Sequence, residues 1–255
     1  MNADATISAT FTQDSYTLTI LQVGNGTVTP VSGGSYLSGT NVALSAVADA
    51  GWTFAGWSGA LTGSVNPETL TMNGDRTVTA TFTQDQYTLT VNVVGGGTVG
   101  RSPNQATYVY GDEVILSASA SPGWTFDSWS GDAMGTTTPA TITMDGDKTV
   151  TATFTQEQYT LTINVVGSGT TTYTPVQATY VYGDLVQLGA SPAIGWTFTS
   201  WTGDINETFP NAEITMDGDK TVTATFTRNI YTLQVNTVGN GTVTRTPDQT
   251  SFYHG

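Results

Sequence analysis

Gly123-Trp124-Thr125-Phe126-Asp127-Ser128-Trp129-Ser130-Gly131-Asp132 gathers two Trp and a Phe into a chain otherwise rich in small residues, and it is one of three copies. Gly51-Trp52-Thr53-Phe54-Ala55-Gly56-Trp57-Ser58-Gly59 lies 72 residues before it, and Gly195-Trp196-Thr197-Phe198-Thr199-Ser200-Trp201-Thr202-Gly203-Asp204 lies 72 residues after. All six Trp sit in these copies. A fixed period of this length points to several small cores, one per copy, and not to one large one. Within a copy Trp124 and Phe126 share a parity, so on a strand they share a face. Trp129 has the opposite parity, and a bulge at Ser128 or Gly56 is expected to re-aim it.

Outward from that stretch the same order repeats. Tyr16, Tyr87, Tyr159 and Tyr231 each open a segment such as Tyr87-Thr88-Leu89-Thr90-Val91, whose period of two reads as a half-buried strand. The turns Gly24-Asn25-Gly26, Gly95-Gly96-Gly97, Gly167-Ser168-Gly169 and Gly239-Asn240-Gly241 have the composition of tight hairpins with positive φ. A second strand is expected to stop at Pro103, Pro175 or Pro247. Tyr108-Val109-Tyr110-Gly111-Asp112 reads as a turn into a third strand carrying Val114 and Leu116, and the Trp stretch is the fourth. The last third is expected to be a hairpin turning at Asp145-Gly146-Asp147, with Val150, Ala152 and Phe154 facing the core.

Apolar residues nowhere recur with a helical period, so the chain is all-β. The joins Thr83-Gln84-Asp85-Gln86 and Thr155-Gln156-Glu157-Gln158 reach only about 13 Å when extended, which makes consecutive modules close neighbours. The boundaries fall at 14–85, 86–157 and 158–229. Residues 1–13 match 72–84, Met1 included, and 230–255 match the beginning of a repeat. The expectation is therefore the end of a preceding copy and the start of a further one, cut from a longer array.

A net charge of −14 with only six Lys and Arg excludes a nucleic-acid footprint and an anionic membrane surface. No apolar run approaches the roughly 18 residues a membrane helix needs, so no membrane insertion is expected in this segment. With no Cys, each module must hold by packing alone. The single His, His254, aligns with Tyr110 and Tyr182 and has no triad partners. Acids do not persist between copies either: Asp112, Glu113, Asp127, Asp132 and Asp145 become Thr40, Asn41, Ala55, Ala60 and Asn73 in the first. No catalytic residue is assigned.

Asp145, Asp147, Asp217 and Asp219 supply oxygens of the type Ca2+ favours, and Ca2+ is the one cofactor the sequence suggests. Roughly six to eight ligands are needed, however, and Asp-Gly is by itself a turn signal. The turn reading is preferred. Trp52, Phe54, Trp57, Trp124, Phe126, Trp129, Trp196, Phe198 and Trp201 are assigned to the cores, because modules this small hold only about 3 to 5 kcal/mol and need their large side chains inside. A ligand-binding alternative uses Trp129, Tyr108 and Tyr110 as exposed rings that meet a glycan or a protein.

The succession Tyr-Thr-Leu-Thr, glycine turn, Tyr-x-Tyr-Gly-Asp, Gly-Trp-Thr-Phe-x-x-Trp and Lys-Thr-Val-Thr-Ala-Thr-Phe resembles the divergent internalin B-repeat, also called the Listeria-Bacteroides repeat. The resemblance covers essentially the whole chain. More typical members read Gly-Tyr-Thr-Phe-x-Gly-Trp-Tyr, where this chain has Trp124 for the Tyr and Ser130 after the second Trp. It implies small β-grasp-like modules strung in tandem on bacterial cell-surface or secreted proteins as a stalk or spacer. The expected architecture is thus all-β, with tandem β-grasp-like or β-sandwich modules of about 72 residues forming an elongated rod. The expected role is a non-enzymatic extracellular spacer or filament segment, with adjacent repeats as its first partners and like chains, a glycan or a host protein as further ones.

Overall fold

Thr alternating with Val, Ile, Leu and Phe favours extended backbone, since β-branched and aromatic side chains pack on a pleated surface. A computed structural model describes residues 4–254, and among them there is no helix. Met1, which the sequence aligns with a repeat position, lies outside the described residues. The first repeat contains β1 (Ser15–Val23), β2 (Gly26–Thr29), β3 (Gly34–Leu37), β4 (Thr40–Ala48), β5 (Trp52–Gly59), β6 (Glu68–Met72) and β7 (Arg76–Gln84). The second contains β8 (Leu89–Val94), β9 (Gly97–Ser102), β10 (Glu113–Ala120), β11 (Trp124–Gly131), β12 (Ala140–Thr143) and β13 (Lys148–Gln156). The third contains β14 (Leu161–Val166), β15 (Gly169–Thr174), β16 (Asp184–Pro192), β17 (Trp196–Gly203), β18 (Asn211–Met216) and β19 (Lys220–Arg228), followed by β20 (Ile230–Thr232) and β21 (Ser251–Tyr253).

The chain divides into two compact units. One comprises Met1–Asn92, Val99–Ser117 and Trp129–Thr151, the other Val93–Thr98, Ala118–Ser128 and Ala152–Gly255, so the division runs through the second repeat. The first and third repeats each lie within one unit and show one topology. In the first, β3-β1-β7-β5 form one sheet and β2-β4-β6 the other; in the third, β14-β19-β17 and β15-β16-β18 match them, without a counterpart of the edge strand β3. Both layers contribute to one core in the first repeat: Leu18 from β1, Val42 and Leu44 from β4, Leu70 and Met72 from β6, Trp57 from β5, and Val78, Ala80 and Phe82 from β7. Val186, Leu188, Ile214, Met216, Trp201, Val222, Ala224 and Phe226 repeat that core in the third.

The first and last strands of a repeat pair in parallel, Leu18 opposite Arg76 through Val23 opposite Thr81, and Leu161 opposite Lys220 through Val166 opposite Thr225. Parallel neighbours begin at the same end of a sheet. The chain therefore enters a repeat at one end of that sheet and leaves from the other.

Two expectations about turns are corrected. The glycine turn joins β1 to β2, and the Asn73-Gly74-Asp75 turn joins β6 to β7, yet each pair lies in different sheets. Both turns are corners between layers, not hairpins. Alternation shows which side chains face the core, but strands in one layer and strands in opposing layers alternate alike. Gly24 adopts φ 80°, and a Cβ there would lie 2.3 Å from the Phe82 carbonyl oxygen and 2.7 Å from the Trp52 ring, so the corner is pressed against the end of β7. The bulge appears where parity required it. Register along β7 shifts between Phe54 and Gly56, and along β19 between Phe198 and Ser200.

Candidate functional site

Consecutive repeats meet at a joint, and each compact unit contains at least one. In the first, β7 runs on past Gln84 so that the Asp85 N–H donates to the Gly51 carbonyl at 2.8 Å. The Asp85 carboxylate accepts from the Thr53 hydroxyl at 2.7 Å. The next residue belongs to the following repeat: Gln86 Oε1 accepts from the Thr107 hydroxyl at 2.8 Å, and Tyr87 and Tyr108 exchange both backbone hydrogen bonds. The join is thus held by the repeat before it and by the repeat after it. Gly51 has φ 75°, and a Cβ there would lie 2.2 Å from Tyr110 Cβ, closer than any side chain can stand. Tyr108, 1% exposed, anchors the tyrosine turn by donating its hydroxyl to the Pro103 carbonyl at 2.8 Å.

The other unit repeats the device. Glu157 N–H donates to the Gly123 carbonyl at 2.8 Å, Thr125 donates to the Glu157 carboxylate at 2.6 Å, and Gln158 accepts from Thr179 at 2.8 Å. Gly123 (φ 75°) faces Tyr182 as Gly51 faces Tyr110. Here the Tyr159 hydroxyl also donates to Glu157 Oε2 at 2.5 Å. Hydrogen bonds from Thr125 and Tyr159 hold the Glu157 carboxyl below its ordinary range, and the same bond, with desolvation, pushes the Tyr159 phenol up to about 12. At the first joint desolvation, followed by the charge of Asp85, raises the Tyr87 phenol. A third instance follows β19: Asn229 N–H donates to the Gly195 carbonyl at 2.8 Å, Thr197 donates to Asn229 Oδ1 at 2.6 Å, and His254 takes the place of the tyrosine against Gly195.

The aromatic residues divide into two classes. Trp57, Trp129 and Trp201 are 4%, 3% and 0% exposed, and each indole N–H donates to a carbonyl of the loop that follows it, at Val65, Thr137 and Pro210. Trp52, Trp124 and Trp196 are half-buried. Trp124 lies under the glycine corner, where a Cβ on Gly96 would sit 2.5 Å from its Nε1. Phe54, Phe126 and Phe198 are half-buried and meet Phe82, Phe154 and Phe226 edge-on at 5.7, 5.6 and 5.7 Å. The ligand-facing assignment of Trp129 and Tyr108 is therefore corrected: Trp129 is buried with its indole N–H bonded to the Thr137 carbonyl, and Tyr108 is anchored under its own loop. Tyr110 keeps an exposed ring, but its Cβ is against Gly51.

A family model described as the divergent InlB B-repeat domain matches three consecutive times, over residues 16–86, 87–158 and 159–230. The chain belongs to the divergent InlB B-repeat family. No curated protein matches it. The second and third B-repeats as matched begin at Tyr87 and Tyr159, immediately after the joint residues Gln86 and Gln158, so the joints fall at the family boundaries.

The acidic turns of the B-repeats are engaged within the fold. Asp147 accepts from the Thr88 N–H at 2.7 Å and its hydroxyl at 2.9 Å, and Asp219 does the same for Thr160. These bonds, the backbone one foremost, lower both carboxyls. Asp145 and Asp217 pair with Lys148 and Lys220, whose hydrogen bonds lower them. Among the described residues no group of three or more His, Cys, Asp or Glu is placed to hold a metal ion.

The joint was not recognised from the sequence, although its signal is there. Gly precedes each first Trp, Thr follows it, and an aromatic or imidazole ring stands at 110, 182 and 254.

Proposed function

We propose that this chain is a non-catalytic spacer, a run of B-repeats that holds another part of a secreted or surface-exposed bacterial protein at a set distance. The observation that carries this reading is the parallel pairing of first and last strands in the first and third repeats, which puts entry and exit at opposite ends of that sheet. A strand of 9 residues spans about 30 Å, so every added repeat extends the path of the chain. The repeated joint supports the reading further, because of two adjacent joining residues one is hydrogen-bonded to the repeat before and the other to the repeat after, Asp85 and Gln86 at the first joint and Glu157 and Gln158 at the second. A flexible tether would need no such bonds. The glycan-binding alternative rests on exposed rings, and two of its three aromatics are buried.

Small-angle scattering tests the proposal on the 255-residue chain and on the same chain with one more copy of the second repeat inserted. A maximum dimension that grows by about one repeat length, roughly 30 Å, supports the spacer. An unchanged maximum dimension overturns it.

A further inference from the structure

At the corner between β6 and β7 the first repeat reads Met72-Asn73-Gly74-Asp75-Arg76, where the others read Met144-Asp145-Gly146-Asp147-Lys148 and Met216-Asp217-Gly218-Asp219-Lys220. In those two a carboxylate meets an ammonium across the turn, Asp145 to Lys148 at 2.5 Å and Asp217 to Lys220 likewise. The first repeat builds the same contact with a neutral amide, Arg76 Nη2 donating to Asn73 Oδ1. An amide offers the guanidinium a single acceptor oxygen, and Arg76 Nε is buried without a partner. Leaving a buried donor unpaired is costly, and a carboxylate, with two oxygens, suits the guanidinium fork where an amide does not.

We propose that Asn73 is a self-deamidation site, and that the aspartate it yields completes in the first repeat the acid–base pair the other two carry. Asn73 is exposed, and Gly74 lies between β6 and β7 and outside both, so ring closure there breaks no ladder pairing. Water or hydroxide removes the Gly74 amide proton, and that nitrogen attacks Asn73 Cγ. The guanidinium at Oδ1 draws electrons from Cγ and stabilises the charge that develops on the oxygen. The Cγ–Nδ2 bond then breaks, and ammonia leaves with a proton from water. The resulting succinimide takes up one water. Opening at Cγ gives aspartate, and opening at the main-chain carbonyl gives isoaspartate. The net change is amide plus water to carboxylic acid plus ammonia, with no oxidation or reduction.

The same dipeptide at Asn25-Gly26 is held differently. Gly26 is paired with Ala48 in the ladder, and a Cβ there would lie 2.5 Å from the Phe82 ring, so ring closure would have to dislodge the strand. Asn240-Gly241 lies outside any strand and is exposed, and it serves as the unrestrained reference.

The experiment incubates the full chain at neutral pH and follows acid formation at each Asn-Gly by peptide mass spectrometry. Conversion at Asn73 is expected to outpace Asn25 several-fold and to keep pace with Asn240. Arg76→Ala is expected to slow it roughly two- to fivefold, the range of an exposed charge contact. A rate at Asn73 no higher than at Asn25, or one that Arg76→Ala leaves unchanged, overturns the proposal. A second readout does not depend on rates: Asn73→Asp should raise the thermal midpoint, and should not do so in an Arg76→Ala background. Absence of that rise overturns the pairing of product with Arg76.

Discussion

Gly51 of one repeat backs onto Tyr110 of the next so closely that a β-carbon on the glycine would fall 2.2 Å from that of the tyrosine. Gly123 and Tyr182 stand in the same relation. The side chain the glycine lacks is therefore what allows consecutive repeats to meet.

Gly51→Ala should accordingly open the first joint while sparing the repeat cores. The positive φ of 75° alone costs an alanine about 1–2 kcal/mol, and the overlap with Tyr110 adds to it. Limited proteolysis should show faster cleavage between residues 83 and 87 with unchanged circular dichroism. Cleavage indistinguishable from the parent would show that the join is held without this contact.

The two classes of Trp should separate in the third repeat. Trp201 is fully enclosed, and Trp201→Ala should cost about 3–5 kcal/mol, close to all the stability a module of this size possesses. Trp196 is half-buried, so Trp196→Ala should cost about 1.5–3 kcal/mol and leave the repeat folded. Urea unfolding of the full chain, followed by tryptophan emission, distinguishes them. The opposite order would contradict the burial described above.

How far the sequence disclosed this fold depends on what alternation encodes. The period, the all-β class and the inward faces of Val150, Ala152 and Phe154 were legible because side-chain direction follows parity. The partners of the strands beside Gly24 and Gly74 were not, since a corner and a hairpin need the same flexible residues. Parity left Trp57 and Trp201 ambiguous, because one extra residue at the bulges before them reverses every side chain beyond it. The joint involves Gly51 with Tyr110 and Thr53 with Asp85, pairs of ordinary residues far apart in the chain. Only their common period marks them.

Acid should weaken the corners through Asp147 and Asp219. Hydrogen bonds from Thr88 and Thr160 depress both carboxyls below 3.8. A depressed carboxyl contributes stability that is complete above its unfolded value and is lost as the pH falls through the folded one. The thermal midpoint should thus fall below about pH 4.5, and the Asp147→Asn/Asp219→Asn variant, less stable at neutral pH, should fall less steeply. Parallel profiles for parent and variant would remove these two groups as the cause.

Alkali should act on the second joint through Tyr159. Its phenol donates to Glu157 Oε2 at 2.5 Å and is pushed up to about 12, so the proton is retained more firmly in the folded chain than in the unfolded one. The bond's contribution is complete below the ordinary tyrosine value of 10.0 and is lost as the pH climbs from there towards 12. Ultraviolet titration should show this tyrosine ionising late in the parent and earlier in Glu157→Gln, where no carboxylate opposes the phenolate. Coincident titration curves would mean that the carboxylate does not govern the phenol, and the second joint would then be held by its other bonds, from Thr125 and Thr179 and along the backbone to Gly123 and Tyr180.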